Sequence, residues 1–228
     1  MNLQAFAYQI NTTKKKESKL LQILLSIAFS LFIIFATVKL TLMFKPLYYL
    51  DVQYLNIEEL SGFSKEDIIK NYDYVINYLL SPKPQEFILP SIPYSKYGQI
   101  HFRDVKKIFT YIDVLLIIFG FFSIVGLFYN LKHRLYGFLK KTASMLIWLP
   151  SILFSAIMIN FDTAFVIFHK IFFRNDYWQF DPDSDPIINI LPQEFFYHSA
   201  LLIIILIAFS IIALKILYKA LNHKKGIY

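Results

Sequence analysis

Residues 20–38 read LLQILLSIAFSLFIIFATV, an unbroken run without a formal charge. A bilayer core about 30 Å thick takes about 20 residues of helix to cross, so this stretch predicts a membrane span. Three further runs repeat the pattern. Val114 to Leu131 is uncharged, and Ile108 to Asp113 extends it with one acid. Thr142 to Phe161 is the third and His198 to Leu214 the fourth. Of the 228 residues, 57% are hydrophobic and 17% charged, more apolar and less charged than an ordinary soluble domain. The predicted fold class is an all-α membrane protein with four transmembrane helices and a small extracellular cap. The predicted division is a tail over 1–19, spans over 20–44, 108–131, 142–161 and 198–218, a cap segment over 45–107, a loop over 132–141, an interfacial segment over 162–197 and a tail over 219–228.

The first run has a basic lead-in of Lys14, Lys15, Lys16 and Lys19. Its apolar stretch exceeds the roughly 7–15 residues of a cleaved signal core, and no small-x-small site follows. It reads as an uncleaved signal anchor, with Met1 to Thr13 lying on the inner surface.

Charge then sets the orientation. Lys14, Lys15, Lys16, Lys19, Lys132, Arg134, Lys140, Lys141, Lys215, Lys219, Lys224 and Lys225 flank the spans on one side, against Glu17 alone. Segments 45–107 and 162–197 hold ten cations and fourteen acids. The positive-inside rule places both termini and the 132–141 loop in the cytoplasm, an N-in/C-in arrangement. The net charge of +7 is therefore topogenic. Split among three short segments, it makes no nucleic-acid footprint, and the inner cations are expected to contact anionic membrane lipid. There is no cysteine, which excludes disulfides, thiolate metal sites and a cysteine nucleophile.

Within 45–107, Ser64 and Asp67 read as a capping box. Ile68, Ile69, Tyr72, Val75, Ile76 and Leu79 follow at helical spacing, and Ser81-Pro82-Lys83-Pro84 ends the helix. Phe87 to Ile100 reads as extended. Asp104 is placed in the first turn of the second span's helix, opposing its dipole. In 162–197, the run from Asp162 to Phe173 reads as an interfacial helix continuing from the third span, and its aromatics match an interfacial belt. Pro192 and Glu194 suit the first turn of the fourth helix.

No G-x-S-x-G, H-E-x-x-H, P-loop or G-x-G-x-x-G is present. Of the five histidines, His133 and His223 lie among inner cations. His198 falls in the first turn of the fourth helix, where a lipid headgroup accounts for it. His101 and His169 sit at junctions between a span and an outer segment, and histidine is the side chain whose ordinary pKa suits acid–base work near neutrality. The default reading of each is structural; convergence on one pocket is the alternative. Asp181, Asp183 and Asp185 lack the glycine and terminal glutamate of a calcium loop, and Pro182 and Pro186 favour a rigid turn instead, so no metal site is assigned. Lys39 and Asp113 are expected to pair between the first two helices or to snorkel, and Gly120 and Gly126 to allow close helix packing. Pro150 is expected to kink the third helix.

Two motifs carry a resemblance. The first is Phe168-His169-x-x-Phe172-Phe173, then Trp178-x-Phe180-Asp181-Pro182-x-x-Asp185-x-Ile187-Ile188, then Leu191-Pro192-x-Glu194-Phe195-Phe196. The second is His101-x-x-Asp104-Val105-Lys106. Together they resemble the bacterial lipoprotein intramolecular transacylases, the Lit family, over essentially the whole chain. The resemblance implies a transferase without cofactor, located in the bacterial plasma membrane, with its active site on the extracellular face. Its substrate would be a lipoprotein with a diacylglyceryl N-terminal cysteine, and the sn-2 acyl chain would move to the cysteine's α-amine. It implies His101 and His169 as the catalytic pair, and Asp104, Asp162, Trp178, Phe180 and Asp181 as substrate-positioning residues, in a chain acting as a monomer. Two other classes stay open: a membrane scaffold, in which both histidines are replaceable, and a metal-dependent lipid hydrolase, which a chelator would inhibit.

Overall fold

The computed structural model describes the backbone of residues 3–225 and the side chains of residues 19–223. The inner-surface placement of Met1 to Thr13 and the side chains of Lys14, Lys15, Lys16, Glu17, Lys224 and Lys225 lie outside the described residues. The elements are α1 (Leu3–Met43), α2 (Lys45–Tyr54), α3 (Ile57–Ser61), α4 (Lys65–Leu80), α5 (Lys96–Lys132), α6 (Gly137–Ile159), α7 (Phe161–Phe172), α8 (Ile187–Ile190) and α9 (Gln193–Lys225). No strand occurs among the described residues. Among the described residues, four helices, within α1, α5, α6 and α9, are long and apolar enough to cross a membrane, and the protein is a multi-pass membrane protein.

The chain divides into two units. One holds residues 1–35, 115–150 and 207–228; the other holds 36–114 and 151–206. In the first, α1 meets α5 and α6 along a polar seam. Gln22 donates to the side-chain carbonyl of Asn130, and Asn130 in turn donates to the Gly126 carbonyl at 2.7 Å. Ser26 and Ser30 bond back to the carbonyls of Gln22 and Ser26, each at 2.7 Å. Satisfying these groups within the protein matters because hydrocarbon offers no partner. Gly126 and Gly120 let the helices approach: a Cβ at Gly126 would lie 2.7 Å from Leu25, and one at Gly120 3.2 Å from Phe32. Pro150 is buried inside α6.

The second unit contains the aromatic core. Ser64 caps α4, accepting from the Asp67 N–H at 3.2 Å and donating to its carboxylate at 2.8 Å. The helix then buries Ile68, Tyr72, Val75, Ile76 and Leu79. Tyr72 stacks on Tyr48 of α2 at 3.7 Å, and Phe195 of α9 meets Tyr48 edge-on at 5.1 Å. The Tyr48 hydroxyl, fully buried, donates to the Ile190 carbonyl at 2.6 Å. Lys39 and Asp113 form the expected ion pair, at 2.6 Å.

Three readings are corrected. The segment that reads as extended to Ile100 turns helical at Lys96. Ser95 accepts from the Gly98 N–H at 3.0 Å, and Asp185 accepts from the Ser95 N–H at 2.7 Å. These two acceptors begin the helix without any apolar periodicity to announce it. Gly98 is required there, because a Cβ would overlap the Asp185 carboxylate. Asp104 consequently lies in the third turn of α5, past the reach of the helix dipole's first turn. Thirdly, α7 does not continue α6. Asn160 breaks the chain at φ −157°, ψ 102° and caps α7 by accepting from the Thr163 N–H at 2.8 Å.

Candidate active site

His101 stands in the second turn of α5, ahead of the apolar run, and His169 near the end of α7. Both are buried, at 7% and 8% exposure, and their rings lie 6.0 Å apart with planes 29° from parallel. The surroundings are aromatic. Phe173 lies 4.9 Å from His101 and 5.5 Å from His169. Phe180 meets His101 edge-on at 5.3 Å. Trp178 packs on His169 at 4.8 Å, and Phe165 at 4.2 Å.

Hydrogen bonding distinguishes the two rings. His169 Nδ1 lies 2.7 Å from the Phe165 carbonyl. A carbonyl only accepts, so Nδ1 carries the proton and Nε2 of the neutral ring carries the lone pair. His101 Nδ1 is buried without a partner. Burial pushes the His101 pKa down to about 4, with His169 adding to the shift and Asp104 opposing it. Burial also lowers the His169 pKa, against the hydrogen bond to Phe165. At neutral pH both imidazoles are uncharged.

Asp104 lies one turn beyond His101. Burial pushes its carboxyl up, but hydrogen bonds from Lys107 at 2.8 Å and Asn175 at 3.3 Å outweigh this and hold it below the usual carboxylate range. Beside the histidines is a depression of about 220 Å³, lined by Lys170, Phe173, Arg174, Asn175, Asp176 and Trp178.

Of the residues singled out in the sequence, His101, His169, Trp178 and Phe180 come together, with Asp104 adjoining. Asp162 stands two turns before His169 and accepts from Gln193. Asp181 organises a turn: its carboxylate accepts from the Asp183 N–H at 3.1 Å and its carbonyl from the Asp185 N–H at 2.8 Å. Among the described residues, no three His, Asp or Glu side chains gather as a metal-binding group. His198 is corrected: it lies in the second turn of α9, and its Nδ1 meets the Asp51 carboxylate at 2.8 Å. Sequence reasoning missed Phe165, Asn175 and Asp51. Phe165 precedes His169 by one helical turn, so the spacing could have found it; Asn175 and Asp51 had no such signal.

The geometry can be set beside known proteins. Residues 23–196 match the model for the lipoprotein intramolecular transacylase Lit. A solved structure of the membrane-integral Lit from Bacillus cereus is 36% identical, with TM-score 0.90, covering 94% of this chain and 100% of that one. A structure of that protein with a histidine changed to arginine gives 34% identity and TM-score 0.90, covering 97% and 99%. One with a histidine changed to alanine gives 33% and 0.87, covering 95% and 99%. A search of curated proteins returns no match.

Proposed function

From its membership of the Lit family of lipoprotein intramolecular transacylases, which makes the chain an acyltransferase, we propose the reaction and the residues that carry it. The substrate is a lipoprotein whose N-terminal cysteine bears a diacylglyceryl group. The enzyme moves the sn-2 acyl chain to the cysteine's α-amine and yields the lyso form. It needs no cofactor and acts as a monomer. Both termini face the cytoplasm, segment 45–107 caps the outer face, and membrane lipids surround the spans.

The single observation carrying this reading is the buried pair His101 and His169, 6.0 Å apart within an aromatic enclosure. The acceptor amine has a pKa of about 7.7–8.0, so a fraction is already nucleophilic. It attacks the ester carbonyl; a C–N bond forms and the carbonyl pair moves to oxygen. His169 Nε2, lone pair free because Nδ1–H is engaged by Phe165, takes the proton released from nitrogen. The tetrahedral species collapses, the C–O bond to the glyceryl breaks, and the same proton passes to the leaving oxygen. His101, neutral because burial lowers its pKa to about 4, donates an N–H hydrogen bond to the oxyanion. Asp104, Asp162, Trp178, Phe180 and Asp181 position the substrate: Trp178 walls the depression and Phe180 packs on His101, Asp104 braces the depression through Asn175, and Asp162 and Asp181 hold α7 and its following turn.

Donor and acceptor belong to one molecule, and well-oriented intramolecular reactions reach effective molarities of roughly 10⁵–10⁸ M. Aromatic walls limit water, which would divert the acyl group to hydrolysis.

The test uses purified enzyme and a synthetic diacylglyceryl lipopeptide. Because the transfer is intramolecular the mass does not change, so product is read by fragmentation. An acyl chain on the N-terminal fragment is the expected result. Release of free fatty acid would identify a hydrolase, and unaltered substrate would refute the transfer.

A further inference from the structure

The indole nitrogen of Trp178 is buried and has no hydrogen-bond partner. Indole N–H can only donate, and buried polar groups in native proteins are as a rule satisfied, so an orphaned one calls for a reason. The position of this one is informative. The ring packs at 4.8 Å on His169, 32° from parallel. It also forms part of the wall of the depression shared with Phe173, which touches both histidines. A tryptophan serving only as an apolar wall gains nothing from its nitrogen, since phenylalanine supplies the same stacking without an unsatisfied donor. Phe165, Phe173 and Phe180 pack on the two histidines in that way.

We propose that the Trp178 indole N–H is an oxyanion donor, hydrogen-bonding the ester carbonyl oxygen as it gains charge in the acyl transfer. This rests on the transacylase reading above. The step balances as written there: the amine nitrogen adds to the carbonyl carbon, the π pair moves to oxygen, and Trp178 N–H and His101 N–H hold that oxygen. When the C–O bond to the glyceryl breaks, the pair returns to re-form the carbonyl and the oxygen leaves both donors. No proton leaves Trp178. Two neutral, fixed donors stabilise a developing anion more than the uncharged ester, which favours the transition state over the ground state.

Trp178→Phe keeps a ring against His169 and deletes only the donor. Loss of one such donor elsewhere lowers kcat about 10²-fold to 10³-fold, and the same fall is expected here with KM little changed. A folded Trp178→Phe enzyme with kcat within about threefold of wild type overturns the proposal. Should that variant fail to fold, the wild type answers directly. The chain has two tryptophans, Trp148 and Trp178, so ¹⁵N-indole labelling gives two N–H signals, and a Trp148→Phe variant assigns them. The probe is a lipopeptide whose sn-2 ester is replaced by a phosphonate, a mimic of the tetrahedral species. A downfield shift of the Trp178 indole proton with Trp148 unmoved supports the proposal; an unmoved Trp178 signal at saturation overturns it. Wild-type enzyme that makes no N-acyl product would instead overturn the transacylase reading itself, so the two failures are distinguishable.

Discussion

His169 and His198 both present Nδ1 to an oxygen at hydrogen-bond distance, but the oxygens differ. His198 meets the buried carboxylate of Asp51 at 2.8 Å, whereas His169 meets the backbone carbonyl of Phe165 at 2.7 Å. A carboxylate is a charged acceptor that fastens one side chain to another. A carbonyl fixes the tautomer while supplying no charge, and burial then keeps the ring neutral. Asp51 and His198 tie α2 to α9 through side chains far apart in the sequence. Burial pushes the Asp51 carboxyl up and His198 opposes the shift, as expected for a pair that holds helices together. His169 and His101 tie nothing comparable. They face each other inside aromatic walls, each with a nitrogen left for chemistry. The lesson is that a histidine's partner, more than its burial, separates a fastening from a reagent.

The largest expected effect probes the reagent side. His101→Ala and His169→Ala should each lower the rate of N-acyl product formation by about 10²-fold to 10⁴-fold, the range for positioned acid–base and oxyanion groups, measured with lipopeptide and purified protein. Activity within a few-fold of wild type in either variant would merge the two histidine classes.

A second effect follows from the rings of His101 and His169 both being neutral in the fold. Their pKa values are lowered, so protonation opposes folding. For His101 the stability gained by burying it uncharged is present above pH 6.5 and is lost as pH falls toward about 4, and His169 adds a loss of the same sign below 6.5. For His101 the change amounts to about 3 kcal/mol. Thermal unfolding in detergent micelles should show the decline between pH 6.5 and 4, and it should shrink in His101→Phe. A wild-type profile that stays flat across this window would contradict the neutral assignment.

The smallest effect probes the fastening. His198→Ala strands a carboxylate whose Oδ2 is already buried without a partner. It should lower stability by about 2 kcal/mol and leave the rate per folded molecule unchanged. A rate loss as large as that of His169→Ala would sink the distinction.

Much of this architecture was legible in the sequence because bilayer physics imposes a coarse signal. Long uncharged runs mark the helices of α1, α5, α6 and α9, and Ser64 with Asp67 marks the start of α4. The Lys39–Asp113 pair was foreseeable because isolated charges near apolar runs need partners. The start of α5 was not legible: it depends on Asp185, which reaches the Ser95 N–H from a turn far along the chain. Nor was the role of His198, since nothing near it in sequence points to Asp51. His101 and His169 were recognisable from residue type, position and motif. Their neutrality, the His169 tautomer and the orphaned Trp178 nitrogen are consequences of packing and emerge only in three dimensions.

The central claim is that the two histidines are uncharged in the resting enzyme, and the pH dependence of kcat/KM for wild-type enzyme tests it most directly. The account predicts a rate that climbs through about pH 7.7–8.0, following the substrate amine, with no step near 6.5 and no inhibition as a histidine loses its proton above it. A bell with a limb near pH 6.5 would show a histidine changing charge in the working range and would contradict the account.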